Sequence, residues 1–322
     1  MSKEIFNIIN DMSDWLNPVQ LKRLQEVLIW RLSEEEKHRV EFSNEQYMEM
    51  FLTAKRLEGC SEKTIYFYRY TISKMFSEID VPIIKITTDH VRKYLVEYKS
   101  RVNCGKTTID NARRIISSFF AWLEEEDYII KSPVRRIHKV RTTQRVKEVI
   151  SDECIERLRD GCTEIRDLAM VDFLLSTGIR VGELVTLDIQ DINFESRECI
   201  VYGKGDKERR AYFDARSKLH LQEYLASRDD DDPALFVSLK APHTRLTISG
   251  VETRIQVLSE RTAVNDIHPH KFRRTMATKA IDKGMPIEQV QRLLGHRQIE
   301  TTLQYAMVNQ ENVRMAHRKY IG

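Results

Sequence analysis

Residues 293–306 read LLGHRQIETTLQYA, and this stretch organises the C-terminal half of the chain. His296 closes an apolar helical pattern just after Gly295, and Tyr305 follows nine residues later. A histidine accepts or shares a proton near neutral pH, and a tyrosine hydroxyl is a nucleophile once it is helped to ionise. The stretch therefore predicts a helix end that carries a proton-transfer group, with a candidate nucleophile close behind it.

Three motifs upstream of this stretch carry further candidate residues. TGIRVGEL places Arg180 just after a glycine that ends a helix. GKGDKERR places Lys204 at the tip of a predicted β-hairpin. HPHKFRR places His270 and Arg273 three residues apart, on one face of a helix. All four motifs lie in the same predicted domain.

Together these residue types can break a phosphodiester bond. Two planar guanidinium groups match the geometry of a phosphate and can hold its non-bridging oxygens. A lysine on a turn can protonate a leaving oxygen, while a tyrosine needs local help to ionise because its unperturbed pKa is ~10. No Asp/Glu cluster with metal-ligand character accompanies the motifs, so we expect no cofactor and a site in which protein cations neutralise the charge.

Each motif alone also has a plain structural explanation. Arg180 beside Glu183 would often be a structural ion pair, and a GKG turn is usually only a turn. An H-x-x-R pair is common on solvated helices, and a lone tyrosine is most often half-buried packing. It is the joint occurrence of the motifs, in this order and behind a basic segment, that favours the catalytic interpretation.

In this order the motifs resemble the catalytic domain of the tyrosine recombinases, also called the phage integrase family, over about residues 150–310. That family's active site combines an Arg in TG-x-R-x-x-E-L, a hairpin Lys, H-x-x-R, a His or Trp in LLGH, and a Tyr nine residues on. The matching positions here are Arg180, Lys204, His270, Arg273, His296 and Tyr305.

Two departures from the family pattern are minor. Lys271 and Phe272 replace the commoner apolar pair inside H-x-x-R. Lys207 lies close enough to Lys204 to compete for the role of proton donor, although the GKG position favours Lys204.

The resemblance implies a mechanism. Tyr305 attacks the phosphate and expels a 5′-hydroxyl, which leaves a covalent 3′-phosphotyrosine. The two arginines stabilise the charged transition state, and His296 donates a further hydrogen bond. Lys204 protonates the leaving oxygen, and His270 assists proton transfer at Tyr305.

The resemblance also implies an assembly. The phosphotyrosine stores the bond energy, so rejoining needs neither ATP nor metal, and two rounds of strand exchange pass through a Holliday junction. The expected partners are double-stranded DNA recombination sites and three further copies of the chain in a homotetramer. An accessory directionality protein is a candidate additional partner.

The predicted fold is mainly α with a small antiparallel β-sheet, arranged as a two-domain, C-shaped DNA clamp. Residues 148–322 form the α+β catalytic domain. Residues 41–130 read as nearly all helix, with helices starting at Ser61, Thr88 and Thr107, and they resemble the family's SAM-like core-binding domain in length, helix content and position.

Residues 131–147 are predicted to form an extended linker that lies on DNA. They contain seven basic residues and no acidic one. Like charges at this density repel one another unless a polyanion neutralises them. With Lys207, the candidate DNA-binding residues are Lys131, Arg135, Arg136, Lys139, Arg141 and Arg145.

Residues 1–40 form an N-terminal helical extension. Asn17 caps a predicted helix that starts at Pro18 and has one apolar face. The extension has six Lys/Arg and seven Asp/Glu, which disfavours a DNA-binding arm. We expect it to pack on the body of the protein or on a neighbouring subunit.

Composition sets broad limits. The net charge is only +3, with 41% hydrophobic and 31% charged residues, so the distribution of charge carries more information than its sum. The five cysteines form no C-x-x-C pair, which disfavours a disulfide framework or zinc site. No signal peptide or membrane span is predicted, so we expect a protein of the bacterial cytosol, associated with the nucleoid.

Three other functions remain open at this stage. A type IB topoisomerase shares this chemistry, although the GKG hairpin and LLGH favour a recombinase. A DNA-binding regulator with an inactive site is disfavoured because all six positions hold competent residues. Within the recombinases, the extra N-terminal helix favours a mobile-element integrase, excisionase or invertase over a Xer-type dimer resolvase.

Overall fold

The computed structural model describes residues 3–38, 42–141, 148–203 and 207–306, and within these ranges it does not describe the side chains of 3–4, 30–38, 207 and 306. The chain divides into two compact units, Met1–Thr143 and Gln144–Gly322.

The described part of the first unit consists of helices and connecting loops, without a strand. A helical hairpin comes first, and four further helices surround a separate core that includes Phe51, Phe119 and Phe120. The helices are α1 (Lys3–Asp11), α2 (Pro18–His38), α3 (Asn44–Leu57), α4 (Glu62–Phe76), α5 (Thr88–Val102) and α6 (Lys106–Glu125).

Side-chain caps explain where most of these helices begin. The Asn17 side chain accepts from the backbone nitrogens at the start of α2, and Ser61 caps α4, both as the sequence predicts. Thr87 rather than Thr88 caps α5, because its hydroxyl is the one that accepts from the third helical nitrogen. The helix that we expected to start at Thr107 begins one residue earlier, after Gly105.

The sequence predicted that residues 131–147 form an extended linker, and this was wrong for the part of the segment that the structure describes. Residues 133–136 form a turn, and Val134, Ile137 and Val140 pack against the core of the first unit. The apolar residues between the basic ones hold the segment in place, and the Val140 nitrogen donates to Asp110 at 3.1 Å. Its basic side chains still face solvent at Lys131, Arg135, Arg136, Lys139 and Arg141.

The described part of the second unit combines helices with one small antiparallel sheet of order β1-β2-β3. The strands are β1 (Ile192–Asn193), β2 (Glu198–Gly203) and β3 (Lys207–Tyr212). The helices are α7 (Asp152–Asp160), α8 (Ile165–Thr177), α9 (Val181–Thr186), α10 (Ala215–Ala226), α11 (Ile248–Thr262), α12 (Pro269–Asp282), α13 (Ile287–Leu294) and α14 (Ile299–Ala306). The expected fold class, mainly α with a small antiparallel sheet, is confirmed.

Helix α8 is the centre of this unit, and its end positions the candidate site. Phe173 and Leu174 on α8 are buried in the main core. The helix ends at Gly178, whose φ of +60° favours glycine. A Cβ at this position would lie 2.1 Å from the Cε atom of Met276 on α12, so a larger residue would also require the end of that side chain to move.

Candidate active site

Arg180 is held beside a buried carboxylate at the start of α9. Glu183 is buried and accepts from the Arg180 backbone nitrogen at 2.7 Å and from its guanidinium at 2.9 Å. The structural ion pair that the sequence allowed is therefore present. However, 45% of the Arg180 side chain stays exposed, so its outer N–H donors can reach a ligand.

Arg273 on α12 joins the motifs at the centre of the site. It is 1% exposed, and its guanidinium donates to the Gly178 carbonyl at 2.7 Å. It also donates to the Leu294 carbonyl and lies 3.1 Å from the Nε2 atom of His296. These contacts fix Arg273 between the end of α8 and the end of α13, next to the segment that carries Arg180.

His296 is held in its neutral form. Burial, followed by the positive charges of Arg273 and Arg180, lowers the pKa of His296 to about 4. Because an arginine can only donate, Nε2 of His296 accepts from Arg273. Its Nδ1 atom therefore carries the proton, which it donates to the Thr302 hydroxyl at 2.8 Å.

Tyr305 lies on α14 beside this histidine. Its ring is buried and packs with Met276, Val290 and Leu294 on α12 and α13. The ring centroids of His296 and Tyr305 are 6.0 Å apart. Within the described residues no hydrogen bond to the Tyr305 hydroxyl is seen, and the contacts that position the ring are apolar.

His270 is the exposed residue in the otherwise buried first turn of α12. Its ring stacks on that of His268, with centroids 6.5 Å apart. His270 lies three residues before Arg273 on α12, so it shares a helix face with the arginine that contacts His296. The structure thus brings together five of the six residues expected to act in catalysis: Arg180, His270, Arg273, His296 and Tyr305.

Sequence reasoning missed Arg209, a third arginine at this site. Its guanidinium donates to Glu183 at 2.6 Å and to the Leu293 carbonyl at 3.1 Å, and so links β3 to both neighbouring motifs. Arg209 pairs with Val201 across the hairpin. Val201 is buried, and residues that pair across two strands lie on the same face of the sheet. The register of the hairpin therefore indicates that Arg209 points inward.

The site carries an excess of positive charge. Arg180, Arg209 and Arg273 contribute three positive charges against the single negative charge of Glu183, which leaves +2 with His296 neutral. Burial, followed by Arg180 and Arg209, lowers the pKa of Arg273 to about 10, so it remains protonated at neutral pH. An excess of fixed cations in a partly buried site is suited to an anion such as a phosphate.

The remaining candidate residues fall outside the described part of the chain or belong to other elements. Lys204 and Arg145 fall outside the described residues. Lys207 is the first residue of β3 and pairs with Gly203, so it belongs to the strand rather than to the tip of the hairpin. The five described basic residues of segment 131–147 belong to the first unit.

Two other kinds of feature are absent from the part of the chain that the structure describes. No group of three or more His, Cys, Asp or Glu side chains is arranged to hold a metal ion. No helix in these ranges is both long and apolar enough to cross a membrane.

Comparison with known proteins identifies the family. Residues 141–312, more than half of the chain, match the phage integrase family, and residues 47–130 match the N-terminal SAM-like domain of phage integrases. Tyrosine recombinase XerC from Oceanobacillus iheyensis is 29% identical over 294 residues, which cover 85% of this chain and 95% of XerC.

Two solved structures share the fold. A fragment of the Tn1549 transposon integrase in complex with transposon right-end DNA has a TM-score of 0.72 at 18% identity, covering 86% of this chain and 99% of that fragment. A λ integrase tetramer bound to a Holliday junction has a TM-score of 0.69 at 18% identity, covering 83% of this chain and 81% of the integrase. The chain therefore belongs to the phage integrase family, whose members are tyrosine recombinases, enzymes that carry out site-specific DNA recombination.

Proposed function

We propose that this chain cleaves and rejoins DNA through a covalent 3′-phosphotyrosine at Tyr305. The observation that carries the proposal is the convergence of Arg180, Arg273 and neutral His296 beside the ring of Tyr305. These arginines bind the non-bridging oxygens of the scissile phosphate, and Tyr305 supplies the attacking oxygen. The 5′-oxygen leaves with a proton from Lys204, and His270 accepts the proton of Tyr305.

The contacts of His296 allow it to change from acceptor to donor. Arg273 donates to Nε2 in the absence of DNA, but a bound phosphate would compete for that guanidinium proton. A hydroxyl can donate as well as accept, so the Thr302 hydroxyl can rotate and donate to Nδ1. His296 then releases its Nδ1 proton to solvent and takes one up from solvent at Nε2, and this Nε2–H can donate a hydrogen bond to a phosphate oxygen. Thr302 is thus a positioning residue that acts through His296.

Replacing Thr302 with valine is expected to slow cleavage roughly 3- to 10-fold, the range of one net hydrogen bond. Thr302→Ser keeps the hydroxyl and should restore the rate. Thr302 is completely buried, and valine has nearly the same shape, so the fold should survive. Nitrogen NMR of His296 should show a changed tautomer balance in Thr302→Val alone. Equal rates in wild type and both variants would remove Thr302 from the mechanism.

We further propose that four copies act on two double-stranded DNA sites through a Holliday junction. The λ integrase structure, which is a tetramer on a Holliday junction, supports this proposal. Strand exchange requires that a 5′-hydroxyl from the other site attack the phosphotyrosine, so at least two sites must come together. A directionality protein remains a candidate partner.

Two biological roles have support. The helical extension 1–40 favoured a mobile-element integrase, excisionase or invertase. The similarity to XerC over 85% of the chain favours resolution of chromosome or plasmid dimers, and we place that role first. Sequencing the DNA around the gene for direct or inverted repeats would separate them, because a gene inside an element is flanked by the element's own recombination sites.

Strand exchange between two duplexes is the test of the proposed function. A site is first selected from a random duplex library with the purified chain, and two duplexes of different length that carry it are then incubated together. We expect recombinant lengths and a branched intermediate without ATP. Relaxation of supercoiled DNA with no recombinants would indicate a topoisomerase, and binding without cleavage would indicate a regulator.

The basic segment 131–147 should bind the DNA backbone. Replacing Arg135, Arg136, Lys139 and Arg141 with glutamine is expected to weaken binding to all sequences alike. The slope of log affinity against log salt should flatten by roughly 0.9 for each DNA phosphate that the variant no longer neutralises. A salt titration by fluorescence anisotropy measures both effects. An unchanged slope would show that the segment is merely solvated.

A further inference from the structure

The N-terminal hairpin of α1 and α2 is too thin to bury its own apolar surface. The two helices pack against each other, but Ile5 is the only buried residue among the described side chains of residues 5–29. None of these side chains belongs to the core formed by α3–α6. A pair of amphipathic helices gains most of its stability from packing against a further layer.

The outer surface of the hairpin is unusually apolar. Trp15 and Val19 are the most exposed of its large hydrophobic side chains, at 82% and 79%. The exposed set is Phe6, Ile8, Met12, Trp15, Val19, Val27 and Ile29. Exposed apolar side chains at this density in so short a segment indicate an interaction surface.

The charges along α2 are unevenly distributed. Lys22 and Arg23 lie in its N-terminal half, and Glu34, Glu35 and Glu36 lie near its C-terminal end, just before Lys37 and His38. A second α2 that runs in the opposite direction would bring the basic pair of one helix level with the acidic cluster of the other.

We propose that this hairpin docks on the hairpin of a second copy, with the two α2 helices antiparallel. In this arrangement a residue of one α2 faces the residue of the other α2 whose number adds with its own to 57. Arg23 is then opposite Glu34 of the other copy, and Lys22 is opposite Glu35. Val27 lies next to the centre of this pairing. The two hairpins form a four-helix bundle with a two-fold axis, in which the same surface serves both copies.

The charge pattern also argues against other occupants of this surface. The extension has six basic and seven acidic residues, so it lacks the excess of positive charge that DNA requires. Packing on the chain's own body would cover the apolar side chains but does not require the matched reversal of charge along α2. Only a copy of the same helix supplies that match automatically.

The test is the association state of the full-length chain without DNA, measured by sedimentation velocity over a range of concentrations. Wild type is expected to dimerise. The double variant Lys22→Glu/Arg23→Glu faces acidic residues with acidic residues, and its dissociation constant should rise by roughly tenfold or more. The reciprocal variant Glu34→Lys/Glu35→Lys should be impaired in the same way.

Mixing the two variants is the decisive arm, because each then supplies the charge that the other lacks. The mixture should form heterodimers with an affinity near that of wild type. The control Arg92→Glu/Lys93→Glu makes the same change in net charge on the exposed face of α5 and should dimerise normally. Circular dichroism checks that every variant folds.

Two outcomes would overturn the proposal. One is a wild-type chain that stays monomeric while hydrogen exchange shows the hairpin protected, which would place it on the chain's own body. The other is a dimer that is insensitive to all of the α2 charge reversals. Neither outcome affects the proposed cleavage chemistry, which rests on the second unit alone.

Discussion

Tyr305→Phe is expected to bind its DNA site with unchanged affinity and to form no covalent adduct. The Tyr305 ring is buried against Met276, Val290 and Leu294, while no hydrogen bond to its hydroxyl is seen within the described residues. Phenylalanine therefore preserves the packing and removes only the atom that bonds to phosphorus. The amount of covalent adduct should fall to the detection limit, because no other group at the site can replace the nucleophile.

Labelled, nicked site DNA is incubated with the protein, and a denaturing gel measures the covalent adduct. Fluorescence anisotropy measures binding to the same DNA. Tyr320→Phe is the matched control, because it changes the only other tyrosine after the LLGH motif. It should form adduct at the wild-type rate. An adduct that persists in Tyr305→Phe and disappears in Tyr320→Phe would move the nucleophile to Tyr320.

Lys204→Ala is expected to lower the rate of cleavage of ordinary DNA by a factor of ~10²–10⁴, the usual effect of losing a general acid. The 5′-oxygen is a poor leaving group without a proton. A 5′-bridging phosphorothiolate releases a thiolate instead, which leaves readily unprotonated. The variant should therefore cleave the sulfur-substituted strand almost as fast as wild type.

Lys207→Ala is the control for that experiment. Lys207 begins β3 and pairs with Gly203, so it lies in the strand, whereas the GKG motif predicts that Lys204 lies at the tip of the hairpin. We expect Lys207→Ala to be mildly impaired on both substrates, as a residue that binds the DNA backbone would be. If sulfur rescues Lys207→Ala and not Lys204→Ala, the general acid is Lys207.

Local signals in the sequence were sufficient to predict much of the secondary structure of the second unit. Gly178 ends α8 and Ser151 caps α7 as predicted, because both depend on backbone groups a few residues away. The alternation of side-chain type along residues 198–212 correctly predicted the β-hairpin. The order of the reactive motifs was enough to predict the family.

Long-range packing accounts for what the sequence did not predict. Arg209 stands in a run with Lys207 and Arg210, and only the pairing of β3 with β2 shows that it turns inward. Thr302 is one of two adjacent threonines, and its role depends on the fold of α14 against His296. The basic segment looked extended because its proline breaks helical periodicity, yet Val134 anchors it to the core.

Identifying the DNA-linked residue in the wild-type chain tests the central claim most directly. A site duplex nicked just 3′ of the scissile phosphate on the cleaved strand releases a short 5′-hydroxyl fragment and traps the protein on DNA. The adduct is digested with nuclease and protease, and the peptides are sequenced by mass spectrometry. The account predicts one modified peptide, with a nucleotide 3′-phosphate on Tyr305. A nucleotide on any other residue, or one joined through its 5′-phosphate, would contradict it.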